Sequence, residues 1–285
     1  MINFVRYCFN LSASLGRFIT ISVGLLLFGC ASEPYEIRLH PSPNQNSRIS
    51  TIVLHYTALN DADSLKVLTC PSANVSAHYL VPQGCQSKPC LVYQLVEDEQ
   101  KAWHAGRSGW RQQTGVNAYS IGIEIVNQGY PDKEEKLPIN QRHWAEFEEQ
   151  QIQTVAALVT KLAQRYEISP QRIIGHSDVA PGRKTDPGLS FPWRRLHDEF
   201  GIGAWPDPVA VTQMMMVEEP SDVLSWQQAL AEYGYTLSPS GHWDKETKQV
   251  LRAFQLHFRP ERVDGQPDRE SWAILQVLLN QYVRS

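Results

Sequence analysis

Apolar residues along this chain change period several times, and each change marks an element. Residues 49–56 (ISTIVLHY) form a β-branched run with Asn and Ser before it and Asn60 and Asp61 after it, the pattern of a buried strand. Residues 76–81 (SAHYLV), 91–96 (LVYQLV) and 120–127 (SIGIEIVN) predict further strands. From about residue 141 to 166 the period becomes helical. Trp144, Ile152, Val155, Leu158, Val159 and Leu162 recur at three- and four-residue steps, Asn140 stands at the N-cap position, and Lys161 and Arg165 fall late, where the helix dipole favours cations. Residues 172–188 (RIIGHSDVAPGRKTDPG) then begin apolar and break into a loop, because Pro181, Gly182, Pro187 and Gly188 stop regular structure.

Beyond residue 205 the pattern changes again. Residues 206–221, with Pro206, Pro208 and methionines at 214–216, read as a linker, part of which packs on a neighbour through the methionines. Residues 222–285 carry three short amphipathic stripes: Val223, Trp226, Leu230 and Tyr233, ending at Gly234; Val250, Leu251, Phe254 and Phe258, after Asp244; and Trp272, Leu275, Leu278 and Leu279, after Asp268. They predict a small three-helix bundle.

The first thirty residues stand apart. Arg6 and Arg17 flank the uncharged apolar run 19–28 (ITISVGLLLF), which is too short to span a bilayer as an ordinary helix and reads as an export signal. Its end, Leu27-Phe28-Gly29-Cys30, resembles the lipobox of bacterial lipoproteins, which implies cleavage before a lipidated Cys30. Ala31, in place of the aspartate that retains lipoproteins in the inner membrane, implies an outer-membrane lipoprotein facing the periplasm of a Gram-negative cell. Contact with the membrane would then be through the lipid alone. An ordinary cleaved signal or an uncleaved anchor would keep the exported destination.

Composition narrows the function classes. A hydrophobic fraction of 42% is ordinary for a globular chain, and a net charge of −4 without any Lys/Arg block argues against nucleic acid as a partner. Apart from Cys8 and Cys30 the cysteines are Cys70, Cys85 and Cys90, which allow one disulfide and one remaining thiol.

The chemistry sits at strand ends and in loops. His55 lies near the C-terminal end of its strand, where open α/β sheets present ligands, although a lone histidine there also serves as a hydrogen-bonded core residue. Glu124, inside an apolar strand, is costly unless paired or functional, and desolvation would raise its pKa toward the range of a proton-transferring group. The 172–188 loop offers His176, Asp178, Lys184 and Asp186, groups able to bind a metal and to steady a developing negative charge, or simply to form a polar surface loop. No HExxH or CxxC is present, so spacing alone leaves a list of candidates.

Taken together, HYTA at His55, SAHYLV at His78, WHAGRSGW from Trp103, SIGIEIVN from Ser120 and GHSDVAPGRKTDPG from Gly175 resemble the zinc-dependent N-acetylmuramoyl-L-alanine amidases of type 2. Their fold is shared with peptidoglycan recognition proteins and phage lysozyme-amidases. The resemblance covers roughly residues 35–205. It implies an α/β fold with a central mixed β-sheet flanked by helices, and an amidase domain over residues 31–205. It also implies Zn2+ held by His55, His176 and Asp186, with Glu124 as general base and Lys184 as oxyanion stabiliser. Asn127, Trp103 and His104 are candidate groove residues. GHWDKETKQVLRAFQ and DGQPDRESWAIL resemble a peptidoglycan-binding domain, so the expected partner is peptidoglycan and its muramyl peptides. A wall-binding protein without catalysis and a zinc peptidase acting within the stem peptide are the competing readings. Oligomeric state is not legible.

Overall fold

The computed structural model describes residues 36–84, 89–216 and 222–284; the predicted signal segment and Cys30 lie outside them, as does Cys85. The chain divides into a short leading unit ending at Ser47 and a compact unit from Arg48 onward. In the leading unit the described residues form no helix or strand, and Arg38 pairs with Glu36. All that follows concerns the second unit.

Its centre is a mixed five-stranded sheet. Strand β1 (Thr51–Tyr56) is followed by helix α1 (Asp61–Thr69), capped by the Asn60 side chain accepting from the Asp63 amide. Strands β2 (Tyr79–Val81) and β3 (Tyr93–Gln94) come next, then a separate two-stranded ribbon of β4 (Gly109–Trp110) and β5 (Gln113–Thr114). Strand β6 (Ser120–Ile125), helix α2 (Glu149–Tyr166) and strand β7 (Ile173–Gly175) complete the sheet region, in the order β3-β2-β6-β1-β7. β1 runs parallel to β6 and β7, β2 runs parallel to β6, and only β3 is antiparallel. The expected strands are present, with those around residues 76–81 and 91–96 shorter than predicted.

Alternation of side chains divides the sheet into two unlike faces. Ile52, Leu54, Ile121, Ile123, Ile125 and Ile173 pack with Ile152, Val155, Val159 and Leu162 of α2 and with Leu196 of α4 (Trp193–Phe200). Val53 and Ile174, on the other face, join a cluster with Trp226, Leu230, Phe254, Leu275 and Leu278. His55, Gly122 and Glu124 alternate onto this second face. One sheet surface therefore carries both the candidate site and the packing of the C-terminal bundle.

That bundle consists of α6 (Val223–Tyr233), α7 (Lys245–Phe258) and α8 (Arg269–Tyr282), with α7 and α8 capped by Asp244 and Asp268 as predicted. Within the segment read as a linker, Asp207 caps helix α5 (Pro208–Met214), which packs along α8. One correction concerns α2, which begins at Glu149 rather than near residue 141. Asn140 does not cap it; its side chain donates to the Pro260 carbonyl at 2.8 Å and accepts from the Val263 amide at 2.9 Å, so tertiary partners replace the local cap. Trp144 leaves the helical stripe to pack edge-on against Tyr56 and Tyr130, its indole donating to the Ile139 carbonyl at 2.9 Å. Cys70 and Cys90 are disulfide-bonded. Among the described residues no helix is long and apolar enough to cross a membrane.

Candidate active site and metal centre

Parallel pairing of β1 with β6 sets His55 directly beside Glu124 on one face of the sheet. β7, on the other side of β1, ends at Gly175 and turns into the short helix α3 (His176–Val179), which delivers His176 to the same strand ends. The Pro/Gly-broken loop after α3 folds back so that the Asp186 carbonyl accepts from the Ser177 amide at 2.9 Å, bringing the Asp186 side chain in beside His176. Three buried donors, far apart in the chain, thus meet. His55 Nδ1 lies 2.9 Å from His176 Nδ1, and each of these nitrogens lies 3.0 Å from Asp186 Oδ2.

This donor set fits a divalent zinc. Two imidazole nitrogens and a carboxylate oxygen are its common ligands, and bonds of about 2.0 Å to a tetrahedral ion place neighbouring donors roughly 3.3 Å apart. His55, His176 and Asp186 form a group able to hold a metal, and all three are buried. The outward nitrogen of each ring is already engaged, His176 Nε2 with the Ala105 carbonyl at 3.1 Å and His55 Nε2 with His104 Nδ1 at 3.0 Å. What faces inward is the other nitrogen of each ring and the Asp186 carboxylate oxygen.

The electrostatics agree with that purpose. Burial, reinforced by neighbouring His176, lowers the His55 pKa to about 4, so the ring is neutral and free to donate at physiological pH. Burial alone would raise Asp186, but the two imidazoles outweigh it and hold the carboxyl well below the usual range. Glu124 moves the other way: burial, with the Asp186 charge adding to it, lifts its pKa well above the carboxylate value, and Lys184 opposes the lift only in part. Among the described residues its buried Oε2 has no hydrogen-bond partner. A buried carboxylate oxygen left unpaired is costly, and groups with such shifted pKa values cluster at functional sites. The Lys184 ammonium lies near enough to act on both Glu124 and His55.

These features coincide with family membership. Residues 45–189 match the N-acetylmuramoyl-L-alanine amidase family, and residues 219–275 match the family described as "Putative peptidoglycan binding domain". AmiD of Escherichia coli K12 is 38% identical over 279 residues, which span 93% of this chain and 98% of AmiD. This chain is an N-acetylmuramoyl-L-alanine amidase family member. Its fold superposes on the solved complex of E. coli AmiD with anhydro-N-acetylmuramic acid-L-Ala-D-gamma-Glu-L-Lys with a TM-score of 0.78, covering 86% of this chain and 94% of that one. AmpDh3 of Pseudomonas aeruginosa in complex with an anhydromuramic pentapeptide is 37% identical, with a TM-score of 0.75 over 85% of this chain and 96% of that one.

Within the amidase, the residues expected to line a groove separate. Trp103 is 55% exposed, with the Lys101 ammonium 4.1 Å over its ring, and remains open to a ligand. Asn127 and His104 are buried and already committed, so they are not free to meet one. The Asn127 side chain accepts from the Gly129 amide at 2.7 Å and donates to the carbonyls of Ala145 and Glu146 at 3.2 and 3.0 Å, which shapes the loop after β6. His104 is bonded on both ring nitrogens.

Sequence reasoning counted Asp178 among the loop's possible metal-binding groups but did not reach its part in packing. Fully buried two residues beyond His176, it accepts from the Gly175 amide at 2.8 Å, from the Tyr235 hydroxyl at 2.6 Å, and is paired with His257 Nδ1 at 2.7 Å. His257 stacks on Trp193 with ring centroids 3.9 Å apart. The C-terminal bundle therefore grips the loop that carries His176. The only sequence signal was the presence of Asp178 inside the motif; Tyr235 and His257 are in the other domain.

Proposed function

We propose that this amidase binds Zn2+ through His55, His176 and Asp186 and hydrolyses the amide between the lactyl group of N-acetylmuramic acid and L-alanine, in peptidoglycan or its muropeptides. The observation that carries the reading is the convergence of those three donors beside an unpartnered Glu124. The muramyl peptides bound by AmiD and AmpDh3 support the same substrate class.

Zinc, when bound, would lower the pKa of a water molecule and polarise the amide carbonyl. Glu124 takes a proton from the attacking water, a role suited to a carboxyl whose raised pKa brings it closer to neutrality. Lys184 offsets the negative charge that grows on the carbonyl oxygen as the carbon becomes tetrahedral. Glu124 then passes its proton to the nitrogen of L-alanine, which leaves as an amine; the second water proton stays on the new lactyl carboxyl group and is lost to the amine or to solvent, giving carboxylate. Trp103 offers an exposed aromatic face against which a sugar or peptide can stack.

In this reading residues 31–205 form the catalytic domain and residues 222–285 a wall-binding domain that raises the local concentration of an insoluble substrate. Cys30 is the lipid-bearing residue of the mature protein, held at the outer membrane and facing the periplasm, where wall turnover and recycling take place. Muropeptides incubated with the zinc-loaded protein and analysed by mass spectrometry should yield free stem peptide and sugar. Shortened peptides still attached to sugar would identify a stem peptidase instead, and unchanged substrate a binding protein. Mass spectrometry of the mature N-terminus tests the lipid on Cys30, and Cys30→Ser should release the protein from membranes.

A further inference from the structure

Neutral histidine has one N–H, and only its other nitrogen can hold a metal, so the tautomer of each ligand must be set from outside. For His176 the nearer outside partner, the Ala105 carbonyl at 3.1 Å, cannot donate, and with Arg183 Nη2 farther off at 3.4 Å the proton belongs on Nε2, which leaves Nδ1 bare. His55 has no such carbonyl. Its Nε2 meets His104 Nδ1 at 3.0 Å, and an imidazole nitrogen can either give or take a proton.

The answer lies one and two residues deeper. His104 Nε2 lies 3.1 Å from Ser120 Oγ, and that hydroxyl donates at 2.7 Å to the Val116 carbonyl. With its only hydrogen spent, Ser120 accepts from His104 Nε2–H; a neutral His104 then presents a bare Nδ1, which accepts from His55 Nε2–H. His55 Nδ1 is left without a proton, facing His176 Nδ1 and Asp186. The chain of donors runs outward from the site and terminates on a main-chain carbonyl.

The surroundings hold His104 in register for this. The Asn117 side chain accepts from the His104 and Ala105 amides at 3.2 and 2.8 Å, so one clamp fixes the partners of both ligand histidines. Below the ring, Gly122 leaves room that no other residue would: a Cβ there would come within 2.3 Å of His104 Cγ.

We propose that His104, backed by Ser120, is a positioning residue that sets the tautomer of His55 and thereby presents its Nδ1 to the metal. The proposal rests on the zinc reading above. It is tested on the full chain by zinc competition against a chromogenic chelator and by 15N NMR of the imidazoles. His104→Phe, which keeps an aromatic ring but accepts no proton, should weaken zinc binding by about 10–100-fold. His104→Gln, whose carbonyl can accept from His55 while its amide donates to Ser120, should restore most of the affinity. In the wild type the NMR pattern should place the His104 proton on Nε2. Should His104→Phe fail to fold, Ser120→Ala and the wild-type NMR pattern decide, since the alanine variant should lose affinity and the Nε2–H signature together. Wild-type affinity in His104→Phe, or a His104 proton on Nδ1, overturns the proposal alone. A wild-type chain that takes up no zinc overturns the metal reading and the proposal with it.

Discussion

Replacing Glu124 with glutamine tests the chemistry most directly, because it removes a proton acceptor and almost nothing else. The two side chains have the same shape, and Glu124 Oε2 makes no hydrogen bond among the described residues, so an amide at that position breaks no hydrogen bond there. Loss of a general base typically costs 10²–10⁴-fold in rate, or about 2.7–5.5 kcal/mol of barrier. kcat should fall by that factor with little change in KM, while zinc content stays at the wild-type level because the three ligand atoms are untouched. Stability gives an independent check. In the folded, metal-free chain burial raises the Glu124 pKa, so between its unfolded value and that raised value the native state binds the extra proton and wild-type stability declines as pH rises. Glu124→Gln has no such loss. Denaturant melts after chelation should show the variant gaining on the wild type as pH is raised from below the unfolded carboxyl pKa to above the folded one, and no gain at the acid end. Activity within a few fold of wild type, with zinc retained, would refute the assignment of Glu124 as the base.

Other positions test other parts of the argument. Lys184→Met should lower kcat by about 10²–10³ with muropeptide substrate, as expected for loss of one oxyanion-stabilising group, and leave zinc content intact by atomic absorption. Tyr235→Phe removes the 2.6 Å hydrogen bond to buried Asp178 and should cost about 1.5–3 kcal/mol in urea melts, lowering Tm by about 3–12 °C. An unchanged Tm would mean that the bundle does not brace the His176 loop through this contact. Gly122→Ala forces a methyl into His104 and should destabilise the chain by about 1–3 kcal/mol in the same assay.

The hydrophobic periodicity determined which segments became strands and which became helices, and its errors are informative. Asn140 has the chemistry of an N-cap and Trp144 falls on the helical stripe, but both found better partners across the molecule, so α2 starts at Glu149. The run of prolines and methionines after residue 205 marked a break in domain organisation, yet a docked helix occupies much of it because Asp207 caps it and α8 offers an apolar side. Local sequence records what a segment prefers alone; the tertiary partners that outbid the preference are not in the segment.

At the site, the residue types and their motifs named the candidates, from His55 to Asp186, and set the charge balance and the α/β pattern. Only the folded chain decided that His55 stands in register with Glu124, that three donors separated by up to 131 positions meet within 3.0 Å, and that His104 faces inward to His55 instead of outward to a groove. It alone put the C-terminal bundle on the same sheet face as the site, through Asp178. The reason is physical: chemistry is carried by side-chain type, which a sequence states outright, whereas proximity is created by strand pairing and packing between segments that share no local pattern.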